Sequence, residues 1–129
     1  MSTIYLDSCL VIYLVEKHPE YYPKLLQKIE QHADSNFVVS SLTALEVMVK
    51  PKKDNNAELI ARYQSFLDQF QVSGINDSVM LSAIDYRLVG IKTPDAIHLA
   101  CANHLGCDQF WTNDNRLAQV DKDWIVNVC

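Results

Sequence analysis

Four acidic residues stand in settings where a carboxylate could do chemistry: Asp7 in YLDS, Glu46 in SSLTALEV, Asp95 in KTPDAIHLACA and Asp114 in FWTNDNRL. KTPDAIHLACA poses the question most sharply, because it reads as a nearly all-apolar helix with an aspartate in its first turn. Carboxylates crowded into one site repel and raise one another's pKa, so such a site normally holds cations. An all-oxygen ligand set without Cys or His suits Mg²⁺ or Mn²⁺, which keep water ligands and bind substrate phosphates. The matching chemistry is hydrolysis of a phosphodiester, with water activated by the cation attacking in line. The acids then act as ligands rather than as proton donors.

Each acid also has a plain structural explanation. Asp7 reads as a helix N-cap, and Thr43-x-x-Glu46 fits a capping box. Asp95 follows Thr93 as cap and Pro94 at the first helical position, where it favours the helix dipole. Asp114 in TNDNRL fits a turn. Each explanation suffices singly; together they do not account for the acids gathering at one sheet edge.

That edge follows from the elements. Ile4-Tyr5-Leu6 reads as a buried strand, followed by a helix from Cys9 to Glu16 that Asp7 or Ser8 caps. A second helix runs from about Tyr21 to His32, and Phe37-Val38-Val39 forms the next strand. Leu42, Leu45, Met48 and Val49 give a helical stripe, with the helix expected to stop at Pro51. After the charged loop KPKKDNN comes a helix from Ala57 to Phe70, then a short strand at Gln71-Val72. Asn76 or Asp77 caps the next helix, which carries Val79 to Leu88 and ends at Gly90. The helix from Lys92 to Ala102 and strands Gln109–Thr112 and Trp124–Val128 complete the chain. Strands alternating with helices imply a parallel sheet with helices on both faces, in one α/β domain over residues 1–129. Asp7, Glu46 and Asp114 then come after strands, toward the carboxyl ends where such a sheet places its ligand crevice, and Asp95 needs only its helix start to point the same way.

Composition narrows the function. At 129 residues, 49% hydrophobic and 21% charged, the chain is a folded protein of ordinary size. No apolar run approaches the roughly 18 residues of a membrane span, and no positive leader precedes an apolar segment. Four cysteines without a framework imply reduced thiols in the cytoplasm. The four scattered histidines show no metal-ligand spacing, and three glycines are too few for a dinucleotide fingerprint or a P-loop. His98 reads as a packed helix histidine. A net charge of −5 argues against a nonspecific nucleic-acid coat. Without the four acids it becomes −5 + 4 = −1, so most of the repulsion belongs to the metal-free site.

The four segments, in this order and over the full length, resemble the PIN-domain ribonucleases, and most closely the VapC-type toxins of toxin–antitoxin pairs. KTPDAIHLA is the most specific of them. The resemblance implies a three-layer α/β/α domain with a mostly parallel central sheet of four to five strands. It implies that Asp7, Glu46, Asp95 and Asp114 form a catalytic, metal-binding quartet holding Mg²⁺ or Mn²⁺, supported by Ser8 and Thr112. It further implies endonucleolytic cleavage of RNA, a homodimer, and a small cognate antitoxin that blocks the site. Asn115 stands where some relatives carry a further acid, so one and two metal ions both stay open. Lys50, Lys52, Lys53, Lys92 and Arg116 are candidates for RNA phosphate contacts.

Other readings are weaker. A haloacid-dehalogenase phosphatase needs D-x-D, and the second residue after Asp7 is Cys9. A response-regulator receiver needs an acidic pair near the first strand. A PIN-like domain that only binds, without cleaving, is the remaining alternative.

Overall fold

Short apolar strands lead directly into helices along most of the chain, and the computed structural model describes residues 2–129. In chain order the elements are β1 (Thr3–Leu6), α1 (Ser8–Val15), α2 (Tyr21–Gln31), β2 (Asn36–Ser40), α3 (Ser41–Lys53), α4 (Ala57–Asp68), β3 (Gln71–Ser73), α5 (Asp77–Leu88), α6 (Thr93–His104), β4 (Gln109–Thr112), α7 (Asn115–Ala118) and β5 (Ile125–Asn127). The five strands make one sheet in the order β3-β2-β1-β4-β5. Every pairing is parallel.

The register explains the hydrophobic pattern. Tyr5 pairs with Val38 on one side and Phe110 on the other, and Phe110 pairs with Ile125. This row faces a core built with Val79 and Ala83 of α5, the apolar body of α6 and Leu117 of α7. The opposite face carries Ile4, Leu6, Val39 and Trp111, packed on Leu10 and Val11 of α1, Leu25 of α2, Val47 of α3 and Tyr63 of α4. Central strands covered on both faces have no polar side to show, which is why β1 reads as an unbroken apolar run. The result is the expected α/β/α arrangement, with five strands that are all parallel. Among the described residues no helix is long and apolar enough to cross a membrane.

Three local expectations are corrected. Helix α3 does not stop at Pro51 but runs to Lys53, with Pro51 buried inside it. Proline lacks an N–H but keeps its carbonyl, and Asn56 N–H donates to Pro51 O at 2.9 Å while Asp54 N–H donates to Lys50 O at 3.0 Å. The turn beyond is made by Asn55, at φ 52°, a conformation asparagine tolerates. Helix α6 is capped by Lys92 rather than Thr93, its first helical bond running from Ala96 N–H to Lys92 O at 2.9 Å. Pro94 in the first turn removes one of the N–H donors that a capping side chain would otherwise serve. TNDNRL is more than a turn, since residues 115–118 form the short helix α7. Gly90 does end α5 as expected, at φ 92°, a region L-residues avoid.

Candidate active site

Strand order runs outward from β1 to β2 and β3 in one direction and to β4 and β5 in the other. The switch point of the sheet therefore lies at β1 and β4, and the crevice beyond their carboxyl ends is where an open parallel sheet places a ligand. A crevice of about 600 Å³ opens there, lined by Asp7, Ser8, Glu46, Asp95 and Asp114 among others. All four acids singled out in the sequence thus reach one place.

Asp7 is fixed first. It caps α1, its Oδ1 accepting from Ser8 N–H at 2.8 Å, and its own N–H donates to Trp111 O at 3.0 Å across the strand pair. Thr112 Oγ1 donates to Asp7 Oδ2 at 2.8 Å and accepts from Asp114 N–H at 3.1 Å. One buried hydroxyl thereby ties the ends of β1 and β4 together. Asp114, exposed, caps α7 through Arg116 N–H at 2.8 Å and Leu117 N–H at 3.3 Å.

Glu46 is not in the capping box that Thr43 suggested. Thr43 Oγ1 accepts from Ser40 N–H at 3.2 Å, so the reciprocal contact at the start of α3 belongs to Ser40 and Thr43. Glu46, one turn further on, accepts instead from Ser8 Oγ at 2.7 Å and from His98 Nε2 at 2.5 Å, both at Oε1. His98 is a packed helix histidine, as the sequence suggests, with 1% of its surface exposed. Its second neighbour in the site, Ser8 Oγ, lies 3.3 Å from Nε2. Tyr5 Oη sits 2.6 Å from its Nδ1 and 2.7 Å from Ser40 Oγ.

These surroundings set the charges. Burial raises the Asp7 carboxyl above its ordinary value, and Glu46 adds to this, while His98, Thr112 and Ser8 oppose it. Asp95 is raised by burial and then by Asp7, with Asp114 and Glu46 contributing and His98 opposing. Glu46 moves the other way: burial would raise it, but the bonds from His98 and Ser8 outweigh that and lower it.

Among the described residues no Lys or Arg nitrogen lies within 4.0 Å of any of these acids, and the one ion-pair contact is His98 with Glu46. Nor do three or more His, Cys, Asp or Glu side chains there converge tightly enough to hold a metal ion by themselves. The carboxylate oxygens that line the crevice are the donor type a hard divalent cation takes.

Of the basic candidates, Arg116 lines the crevice, and Lys92 lines an adjoining hollow that shares Asp95, Asp114 and Arg116. Lys50, Lys52 and Lys53 are exposed in the last turn of α3, outside the crevice lining. Lys50 and Lys53 follow Glu46 at helical spacing, so they continue the face it presents. Sequence reasoning missed Cys9, Tyr13 and Asn113, which also line the crevice. Asn113 Nδ2 donates to Tyr13 Oη at 2.9 Å. Cys9 and Tyr13 sit one turn apart on α1, a spacing that points both the same way once Ser8 is placed. Asn115 also lines the crevice, and its Oδ1 accepts from Asn127 Nδ2 at 2.6 Å.

Comparison with known proteins agrees with this fold. The family model described as PIN domain matches residues 4–123. Among solved structures, a toxin–antitoxin complex from Klebsiella pneumoniae superposes with a TM-score of 0.79 at 22% identity, covering 98% of each chain. VapBC2 from Rickettsia felis, bound to a promoter DNA fragment, superposes at 0.76 with 15% identity over 97% of each. VapC20 of Mycobacterium tuberculosis, described as a sarcin-ricin loop cleaving toxin, superposes at 0.74 with 10% identity, over 91% of this chain and 94% of that one. At these identities the likeness is one of fold. No curated protein sequence matches.

Proposed function

Because the chain belongs to the PIN-domain family, we propose that it is a metal-dependent endoribonuclease and the toxin member of a toxin–antitoxin pair. The observation that carries this reading is the meeting of Asp7, Glu46, Asp95 and Asp114 in one crevice with no lysine or arginine paired to them among the described residues. Asp7 and Asp95 would hold the cation, with Asp114 and Glu46 completing the set. When bound, Mg²⁺ or Mn²⁺ supplies the positive charge that makes water a competent nucleophile at neutral pH and offsets charge on the phosphoryl oxygens.

The chain's own residues do the rest. Thr112 and Ser8 hold Asp7 against rotation. Glu46 has one oxygen occupied by two donors and the other free to orient the attacking water. In the reaction the water oxygen bonds to phosphorus and gives up a proton to solvent, one phosphorus–oxygen ester bond breaks, and the departing oxygen takes up a proton. Arg116 and Lys92, which line the crevice and its adjoining hollow, would meet backbone phosphates.

The partner we assign is a cognate antitoxin, supported by the toxin–antitoxin complexes among the structural neighbours. We assign a homodimer in the cytoplasm, where RNA is at hand, and the dimer is supported by the apolar side chains exposed on α5, Met80, Leu81, Ile84 and Leu88. The second reading, a domain that binds without cleaving, is favoured by one fact: no three metal-type side chains converge among the described residues.

Cleavage of single-stranded RNA decides between them. Activity should vanish in EDTA and return with Mg²⁺ or Mn²⁺. Cleavage that persists in chelator overturns the mechanism, and RNA binding without cleavage in either metal establishes the binding module.

A further inference from the structure

We propose that His98 is a positioning residue for the reaction, gripping the Glu46 carboxylate from the core side while Tyr5 and Ser40 lock the imidazole. An ionised carboxylate only accepts hydrogen bonds, so His98 Nε2 must carry the proton that lies between it and Glu46 Oε1. Nε2 and Oε1 stand within hydrogen-bond reach, 2.5 Å apart. The ring is pinned at its other nitrogen, since Nδ1 lies 2.6 Å from Tyr5 Oη, which in turn lies 2.7 Å from Ser40 Oγ. Tyr5 is pinned as well, its ring stacked on Phe110 at 5.2 Å and 9°.

The direction of this chain is informative. Tyr5, Ser40 and His98 are each 0–1% exposed, whereas the Glu46 side chain is 30% exposed at the crevice. A glutamate on a helix surface has three side-chain torsions to lose, and the Ser8 hydroxyl alone, itself free to rotate, would leave much of that freedom. Two donors on one oxygen, one of them backed by a rigid ring, direct the second oxygen outward. The relay also links β1, the end of β2, α6 and α3, so the acid's place is set by the sheet rather than by its own helix. A histidine that merely satisfies itself in a core needs none of this alignment on an acid at the crevice edge.

The catalytic consequence rests on the nuclease reading; the positioning rests on the geometry. His98→Gln offers an amide N–H near the place of Nε2, whereas His98→Leu fills similar space with no donor. Crystal structures and steady-state RNA cleavage in Mg²⁺ are compared for the parent and both variants. Glu46 should keep its rotamer in the parent and in His98→Gln and turn away in His98→Leu. In His98→Leu kcat should fall by about 10- to 100-fold, the range for losing an outer partner of a metal-site residue, while His98→Gln stays within about fivefold of the parent. KM should change by no more than about twofold, because the loss falls on the reacting arrangement rather than on RNA binding. The proposal is overturned if Glu46 keeps its place in His98→Leu, or if both variants lose kcat equally and in step with their melting temperatures. Should His98→Leu not fold, Tyr5→Phe replaces it, keeping the stacked ring and removing only the hydroxyl. Reduced kcat with a shifted Glu46 then supports the relay, and parent-like kcat with an unmoved Glu46 overturns it. A parent inactive in both Mg²⁺ and Mn²⁺ removes the nuclease reading instead, and the position of Glu46 in the variant crystals still decides the role of His98.

Discussion

Glu46 and Asp95 are both partly buried carboxylates on helices, they line the same crevice, and the protein treats them in opposite ways. Glu46 is bonded by Ser8 and His98, which lower its carboxyl. Asp95 is raised by burial and by the charges of Asp7, Asp114 and Glu46, with no hydrogen bond among the causes. The contrast separates two jobs that identical chemistry would otherwise blur. A carboxylate already satisfied by protein donors has its orientation set before any ligand arrives. One that is raised and surrounded by like charge is destabilised until a cation comes, and gains most from it.

The sharpest way to break this contrast is Asp95→Asn. The amide keeps the shape and removes the charge, so on the proposed reading of Asp95 as a cation ligand RNA cleavage should fall by more than about 100-fold with an unchanged circular dichroism spectrum. A variant cleaving at the parent rate would return Asp95 to an ornament of the helix dipole.

Stability against pH sharpens the contrast with opposite signs. For Asp95 the folded pKa is raised, so as pH climbs above the ordinary 3.8 the unfolded chain sheds its proton first and the folded state loses stability until the raised value is passed. For Glu46 the folded pKa is lowered, so its contribution is full above the ordinary 4.5 and is lost as pH falls through the lowered value. In EDTA, Asp95→Asn should therefore gain on the parent as pH rises from below 3.8 toward neutrality. Glu46→Gln should lose on the parent over the climb to 4.5 and stay below it thereafter. Thermal melts moving in the same sense for both variants would erase the distinction.

Asp7 combines both treatments, being hydrogen-bonded and yet raised by burial. Asparagine can still cap α1. In EDTA, Asp7→Asn should be more stable than the parent by about 1 kcal/mol, as when a strained functional site is relieved. Excess Mg²⁺ should reverse the order, because a ligand bound only by the folded state stabilises the parent more. Four melting curves without a crossover would leave Asp7 a cap and nothing else.

The smallest effect concerns the rim. Replacing Lys92 and Arg116 with Ser should lower the salt slope of RNA binding by about 0.7 for each phosphate of a single strand that is no longer neutralised. The triple replacement of Lys50, Lys52 and Lys53 tests whether RNA continues along the α3 face beyond Glu46. An unchanged slope in the triple variant would confine the path to the α6 and α7 side.

The fold was legible because buried strands leave apolar runs and parallel crossovers leave the alternation of strand and helix. Asp7, Asp95 and Asp114 were legible because each follows a strand or opens a helix, whereas Glu46, inside α3, was legible only through its motif. What remained hidden depends on contacts between distant segments or on backbone detail. The His98–Glu46 contact spans 52 positions, and nothing in either segment announces the other. Thr43 pointed to Glu46 as a capping partner and bonded to Ser40 instead, because Glu46 had stronger donors in Ser8 and His98. Pro51 suggested a helix end because a missing N–H is visible in sequence, whereas the carbonyl bonds that carry α3 past it are not. Helix α7 was too short for any periodicity to show.

Thr112 and Asp7 stand 105 positions apart, and their hydroxyl–carboxylate bond joins β4 to β1. Pairings this distant in sequence form late and slow folding, because the intervening loop must close before it is rewarded. β1 pairs with β2 across about 33 positions and with β4 across about 105, so its second edge needs the longer closure. A chain stalled or cut anywhere between Asp95 and Gln109 already contains Asp7, Glu46 and Asp95 and still lacks the strand that holds the first of them. The site is therefore complete only once β4 has paired with β1.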